Sequence, residues 1–476
     1  MPIPSRRSFC KALAAAPLSI CAAPPVPRPN IIFVLTDDQG YGDLRCHGNP
    51  VVKTPNLDRL HGESVRFTDY HVSPTCSPTR AALMTGRHEF KSGVTHTINE
   101  RERMSLKATT LAEVLKSAGY ATGIFGKWHL GDAAAYQPNR RGFDEMFIHG
   151  CGGIGQSYPG TCSDAPGNMY TNPTLMHNGA FEKTQGYCTD LFFNQALKWV
   201  DGKRQSGQPF FAYIATNAPH VPLQCPEEYQ RMYKGLHLTE NEEKYFGMVT
   251  NIDDNVGRLM ARLKDWGMDR NTLVIFMTDN GGTGGVKVFN AGMRGAKNSP
   301  YQGGTRVPAF FRWTGVLKPG DVNKLSAHID ILPTLAEFAG AKIPGNIQLD
   351  GRSLMPLLKN PDAPWADRYL FTHIGRWEKG RAAESKYAQC RVRGSRFSMV
   401  RMGPEKGWEL YDVKADPGES KDVVSEHPEA VGQMNAAYDK WWQEILPCLE
   451  NENAVPPKVS PYKELYWRQF GGGPKG

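Results

Sequence analysis

Five short apolar runs constrain the fold of this chain more than any other feature. They are Asn30–Thr36 (NIIFVLT), Thr122–Phe125, Phe210–Thr216 (FFAYIAT), Thr272–Thr278 (TLVIFMT) and Val307–Trp313. Runs of this length, rich in β-branched and aromatic residues, read as buried strands. Between them lie helical patterns at Ser77–Gly86, Thr110–Ala118, Thr189–Val200, Glu240–Trp266 and Ile329–Ala339. Strands alternating with helices predict an α/β domain on a large, mixed, mostly parallel sheet flanked by helices. In such sheets ligands gather at the carboxyl ends of the strands.

The texture changes near Trp365. Tyr369–Arg376 and Gln389–Met402 read as strands turning around Gly394, and Pro428–Ile445 as a helix that packs through Trp441 and Trp442. This predicts a catalytic α/β domain over 29–365 and a smaller C-terminal α+β subdomain over 366–476. At the other end, Ser5-Arg6-Arg7-Ser8-Phe9-Cys10-Lys11 precedes a short apolar run, Ala12 to Ala23. That arrangement resembles a twin-arginine export signal over residues 1–28 and implies a periplasmic or extracellular protein. No apolar stretch reaches the roughly eighteen residues of a membrane span.

The 56 basic and 48 acidic residues give a net charge of +8. The excess is dispersed, without Lys/Arg blocks, zinc-finger spacing or an aromatic RNA-binding run, which argues against nucleic acid as a partner. Ten cysteines occur, at 10, 21, 46, 76, 151, 162, 188, 225, 390 and 448. None forms a Cys-x-x-Cys pair, so structural zinc is not expected. In an exported chain, pairs among 151, 162, 188 and 225 could form, but spacing does not fix which.

Two strand ends carry carboxylates: Asp37-Asp38 after the first run and Asp279-Asn280-Gly281-Gly282 after the fourth. Three carboxylates and an amide oxygen are hard ligands, suited to Ca²⁺ or Mg²⁺ rather than zinc. Between these ends lies VSPTCSPTRAALMTGR, Val72 to Arg87. Pro78 suits the first turn of a helix and puts Cys76 at its N-terminus, where backbone N–H groups favour an anion. Arg80 follows one turn later on the same face. Locally this fits either a capped helix with a buried thiol or a nucleophilic cysteine awaiting a histidine base. A soft thiolate is mismatched to hard oxygen ligands.

Cys76-Ser77-Pro78-Thr79-Arg80 resembles the Cys-x-Pro-x-Arg motif of the type I sulfatases, arylsulfatase-like members of the alkaline phosphatase superfamily. The likeness runs from about residue 29 to 445. It includes Asp37-Asp38-Gln39-Gly40, Thr54-Pro55-Asn56-Leu57-Asp58-Arg59-Leu60, Gly126-Lys127-Trp128-His129-Leu130-Gly131 and Ala218-Pro219-His220. It continues through Asp279-Asn280-Gly281-Gly282, Arg294-Gly295-Ala296-Lys297 with Tyr301 to Pro308, His328 to Leu335, and Leu410 to Glu419.

The resemblance implies an alkaline phosphatase-like fold and hydrolysis of sulfate esters. It implies that a separate maturation enzyme converts Cys76 to Cα-formylglycine. One hydroxyl of the hydrated aldehyde then attacks sulfur, and the other expels sulfate by C–O cleavage. Asp37, Asp38, Asp279 and Asn280, with an oxygen of modified residue 76, would bind Ca²⁺ ahead of Mg²⁺. Arg80 and Lys127 would hold the hydrate and sulfate oxygens, and His129 would be the base for elimination. His220 and Lys297 would contact sulfate and assist the leaving alkoxide. The implied substrate is a sulfated glycan, with aryl sulfates as surrogates. A phosphate or phosphonate ester hydrolase of the same superfamily and a silent sulfated-glycan binder are the competing readings. Gln302 stands where many relatives carry Glu, Ala296 where Gly is common, and the loop around Gly150–Gly155 lacks the small polar residue that some members carry there.

Overall fold

All five apolar runs become strands of one ten-stranded sheet in the computed structural model, which describes Met1 and residues 28–158 and 160–474. The arginine pair, Cys10 and Cys21 of the expected export signal lie outside the described residues. Across the sheet the strands run Gly320–Val322, Val65–Phe67, Ala309–Arg312, Thr272–Thr278, Asn30–Thr36, Phe210–Ala215, Ala121–Gly126, Glu145–Ile148, Thr174–His177 and Ala180–Lys183. The five from Thr272–Thr278 to Glu145–Ile148 are mutually parallel, so their carboxyl ends share one edge. The strands on either side of these five join them antiparallel, which makes the sheet mixed.

The first strand is central and buried throughout, hence its continuous apolar sequence. Ile31, Phe33 and Leu35 pack on one face, in the same core as Leu83 and Met84 of helix Cys76–Thr85 and Leu335 of helix Ile331–Ala339. Ile32 and Val34 pack on the other, with Phe192 of helix Cys188–Ser206 and Val256 of helix Glu240–Asp265. The period of two along the strand thus sorts the helices into two layers. Helix Cys188–Ser206 outruns the expected Thr189–Val200. Its polar extension is helix-compatible, and the chain stops only at Gly207, in the left-handed conformation (φ 68°).

The small C-terminal sheet is antiparallel, in the order Leu370–His373, Cys390–Arg393, Phe397–Arg401, Glu409–Asp412. Helix Pro428–Ile445 covers it through Met434, Tyr438, Trp441 and Trp442. The end of the chain behaves differently. Helix Pro461–Phe470 returns to the far edge of the large sheet, where Tyr462 meets Phe181 edge-on at 5.0 Å. Segment 366–476 therefore contributes to both cores. No helix among the described residues is long and apolar enough to cross a membrane. The eight described cysteines are all free. Cys188 and Cys225 turn to Asn217 and to the Pro226 carbonyl instead of to another sulfur.

The small sheet is fastened to the large domain by buried charge. Arg393 donates from Nη2 to both oxygens of Asp69 at 2.9 Å, and Asp69 also bonds His71 Nε2 at 2.9 Å. Burial would raise the Asp69 carboxyl, but Arg393 and His71 outweigh it and hold it well below the usual range. Breaking such a pair strands a buried charge, so Arg393→Ala is expected to cost about 3–5 kcal/mol at neutral pH, read as a lower urea midpoint. A folded pKa below the unfolded one means stability present above the ordinary carboxyl pKa and lost as pH falls through the depressed value. The gap between wild type and variant should therefore persist at mildly acidic pH and narrow only in strong acid.

Candidate active site

Five adjacent parallel strands deliver polar residues to one edge of the sheet. Asp37 and Asp38 follow Asn30–Thr36, and Asp279 and Asn280 follow Thr272–Thr278. Lys127 and His129 follow Ala121–Gly126, His220 lies beyond Phe210–Ala215, and His149 follows Glu145–Ile148. Helix Cys76–Thr85 points its first residue at the same place, as the proline at its third position foreshadowed. Gly126 makes the turn into Lys127 possible: its φ is 117°, and a Cβ there would lie 1.9 Å from the Ala215 carbonyl oxygen. Asp38 (φ 66°) and His129 (φ 60°) hold left-handed backbone without being glycine. Such strain concentrates at functional sites.

The charges interleave. Lys127 Nζ lies 2.5 Å from Asp37 Oδ2, and Lys297 Nζ lies 2.5 Å from Asp38 Oδ1. Arg80 donates from Nε and Nη2 to Asp279 Oδ2, at 3.1 and 2.7 Å, and from Nη1 to the Lys127 carbonyl at 3.0 Å. Asn280 Nδ2 donates to Asp38 Oδ1 at 3.0 Å, and the Asp38 amide to Asp279 Oδ1 at 3.2 Å. Ligand atoms of Asp37, Asp38, Cys76 and His220 all lie within 4.8 Å of one another. Two buried oxygens, Asp37 Oδ1 and Asn280 Oδ1, have no hydrogen-bond partner. Orphaned hard acceptors beside clustered carboxylates fit a divalent cation of the Ca²⁺ or Mg²⁺ type.

Burial and mutual charge set the protonation states. Burial would raise Asp37, yet Lys127, His220, Arg80 and Lys297 hold it well below the ordinary range. Asp279 is raised by burial and by the Asp37 charge, despite Arg80 and Lys127. A divalent cation between the two would relieve that repulsion. Burial pushes the Cys76 thiol up to about 11, against the pull of Lys127 and Lys297. A cysteine there stays a neutral thiol, which disfavours the thiolate nucleophile that the sequence left open.

The histidines divide by hydrogen bonding. His129 Nε2 donates to the Thr97 carbonyl at 2.8 Å, which leaves Nδ1 as a buried, unpartnered lone pair. Burial, reinforced by Lys127, holds His129 well below the ordinary histidine range. His220 Nδ1 donates to the Val221 carbonyl at 2.7 Å and faces Nε2 toward Asp38 Oδ2 at 3.7 Å. Side-chain exposure is 10% for His220 and 11% for Lys297, against 0% for Lys127 and Asp37. Solvent therefore reaches the site on the side of His220 and Lys297. Sequence reading missed His149. It is buried, both ring nitrogens lack partners, and burial with Lys127 pushes it down to about 3. The sequence carried no signal for it, because the strand before it was not among the apolar runs. The loop after it passes against His220. Gly153 runs so close to His220 that a Cβ would lie 2.7 Å from Nδ1.

Gln302 faces away from this cluster. Its Nε2 donates to the Pro417 carbonyl at 2.8 Å, and its amide to Glu419 Oε2 at 2.7 Å. The missing negative charge at 302 thus falls at the contact with the small subdomain.

Comparison with known proteins agrees with this geometry. A family model described as Sulfatase matches residues 29–341, and one described as N-sulphoglucosamine sulphohydrolase, C-terminal, matches residues 296–440. Arylsulfatase A of Homo sapiens is 35% identical over 462 residues, spanning 88% of this chain and 86% of its own. Arylsulfatase J of Mus musculus is 28% identical over 480 residues, spanning 91% and 77%. The crystal structure of Ps i-CgsB in complex with k-i-k-neocarrahexaose superposes with a TM-score of 0.79 at 29% identity, covering 93% of this chain and 97% of its own. The phosphonate monoester hydrolase of Agrobacterium radiobacter shares the fold, with a TM-score of 0.61 at 22% identity, covering 89% and 96%. The chain belongs to the sulfatase family of the alkaline phosphatase superfamily and is a sulfuric ester hydrolase.

Proposed function

We propose that this enzyme removes sulfate from sulfated glycans, using residue 76 matured to Cα-formylglycine and a Ca²⁺ ion held by Asp37, Asp38, Asp279 and Asn280. The observation that carries the reading is the buried alternation of three carboxylates with Arg80, Lys127 and Lys297 around residue 76, with two hard oxygens left unpartnered. The carboxylates and cations cancel in charge, so a divalent ion leaves the pocket net positive, as a sulfate ester requires. Likeness to Ps i-CgsB, whose structure carries a neocarrahexaose, supports a glycan substrate. The arginine pair near the N-terminus supports export. Cys76 is only 2% exposed, so a maturation enzyme would have to reach it before folding is complete.

When bound, the cation and the hydrated formylglycine supply a nucleophilic hydroxyl, draw charge from sulfate and let it leave by C–O cleavage. The side chains around them position and transfer protons. Arg80 orients Asp279 and the Lys127 backbone through the bonds described above. Lys127 and Lys297 are point charges for sulfate oxygens. Lys297, at the exposed side, is placed to steady the departing alkoxide together with His220. His129 takes the proton at Nδ1, its tautomer fixed by Thr97.

Three tests follow. A peptide mass spectrum across residue 76, from protein made with a maturation enzyme, should show formylglycine or its hydrate. A thiol at 76 in fully active protein would refute the reading. Aryl sulfate should be turned over well ahead of aryl phosphate, and Lys297→Ala should lower kcat on the order of a hundred- to a thousand-fold, measured at a temperature below its own lowered Tm. Preference for phosphate would favour the phosphoester alternative. The pKa of His129 is depressed, so the base stays unprotonated as pH falls through 6.5, its ordinary value. The acid limb of kcat should therefore lie below that pH, and a limb centred above neutrality would contradict the assignment.

A further inference from the structure

Beside the hard-oxygen site lies a cluster of opposite chemical character. His129, Cys151 and Cys162 are all buried, and their ligand atoms fall within 4.8 Å of one another. Cys162 Sγ is 3.8 Å from His129 Nε2 and 3.6 Å from the Thr97 carbonyl oxygen. A tetrahedral ion with bonds of about 2.3 Å to sulfur and 2.0 Å to nitrogen sets such ligands about 3.5 Å apart. The Cys162–His129 pair already stands near that separation, and no pair in the cluster exceeds 4.8 Å. The surroundings also suit a cation. Glu102 and Asp132 are buried nearby, and Glu102 Oε2 has no hydrogen-bond partner. The sequence argued against structural zinc for want of a Cys-x-x-Cys pair, but these ligands come from two segments, the stretch after Ala121–Gly126 and the loop between Glu145–Ile148 and Thr174–His177.

We propose that His129, Cys151 and Cys162 form a site for a thiophilic divalent ion such as Zn²⁺, and that its occupancy silences turnover. Binding releases the two thiol protons to solvent, and the ion takes two thiolates and the Nε2 lone pair. His129 must then give up its bond to Thr97 and carry its proton on Nδ1, the nitrogen assigned as base. The silencing rests on that assignment; the binding does not. The cluster sits under the loop that spans the catalytic histidines. Its backbone is tied by Asp164 to Gly150 and Gly155, at 2.9 and 2.8 Å, and by Asp132 to Ser163 at 3.0 Å.

Co²⁺ is the probe for binding, added to Ca²⁺-saturated Cys76→Ala protein so that residue 76 offers no thiol. One Co²⁺ per chain should bind with a thiolate-to-metal charge-transfer band, and the band should vanish in both Cys151→Ser and Cys162→Ser, whose melting curves show whether they fold. A band that survives in either folded variant, or that vanishes in Cys46→Ser, would overturn the site in favour of the half-buried Cys46, His47 and His61 group. A Cys151–Cys162 disulfide in the unreduced native protein would overturn it too. For silencing, Zn²⁺ should inhibit the matured enzyme under excess Ca²⁺. Cys162→Ser should raise the half-inhibiting concentration about a hundredfold, each protein being compared with its own zinc-free rate. Relief of inhibition by further Ca²⁺ would place the zinc in the oxygen site. Thiolate-bound cobalt with zinc-indifferent turnover would overturn the silencing and the role given to His129, leaving the metal site standing.

Discussion

Everything at the carboxyl edge of the sheet depends on keeping three carboxylates buried within reach of one another. Ionised carboxylates cannot share such a space unless opposite charge is interposed. Arg80, Lys127 and Lys297 each take one partner, and each comes from a different segment: a helix start, a strand end and a glycine-rich loop. The parallel sheet is what brings those segments together, because it presents five strand ends along one line. The same pairing leaves each carboxylate with a cationic partner of its own. It also explains why a residue at 76 meets both hard oxygens and cationic donors without leaving the first turn of its helix.

The small subdomain belongs to this arrangement rather than hanging from it. Glu419 is fully buried, accepts from the Gln302 amide and from Ser398 Oγ, and stands 3.4 Å from Arg391. Arg391 in turn donates to Thr305 Oγ1 at 2.5 Å. These contacts brace the 302–305 turn, whose Gly303 and Gly304 receive Arg294 and Ala296 carbonyls so closely that any Cβ would collide. Lys297 lies on the segment so enclosed. Distance from the chemistry therefore does not make Arg391 or Glu419 irrelevant to it. Their burial fixes where the lysine at the pocket mouth can stand.

Much of this was legible in the sequence. The central strands announced themselves as continuous apolar runs because they are covered on both faces. The proposed metal ligands were legible because each pair closes such a run. Strands Glu145–Ile148, Thr174–His177 and the edge strand Ala180–Lys183 were not, since each is only four residues long and interrupts its apolar positions with Glu, Thr, His or Lys. His149 was lost with the strand that positions it. Glu409–Asp412 merged into the acidic turn that follows it, and helix Pro461–Phe470 was invisible because its docking surface is an edge strand far away in sequence. The meeting of Cys151, Cys162 and His129 is likewise a tertiary fact that no spacing rule encodes.

The central claim is that Asp37, Asp38, Asp279 and Asn280 converge on a single hard cation. Calorimetric titration of Ca²⁺ into chelator-stripped protein tests it most directly, with Asp279→Asn and Asn280→Ala alongside. One ion per chain, with binding weakened at least about tenfold in each variant, is the expected result. No saturable binding, or full-affinity binding in both variants, would contradict it.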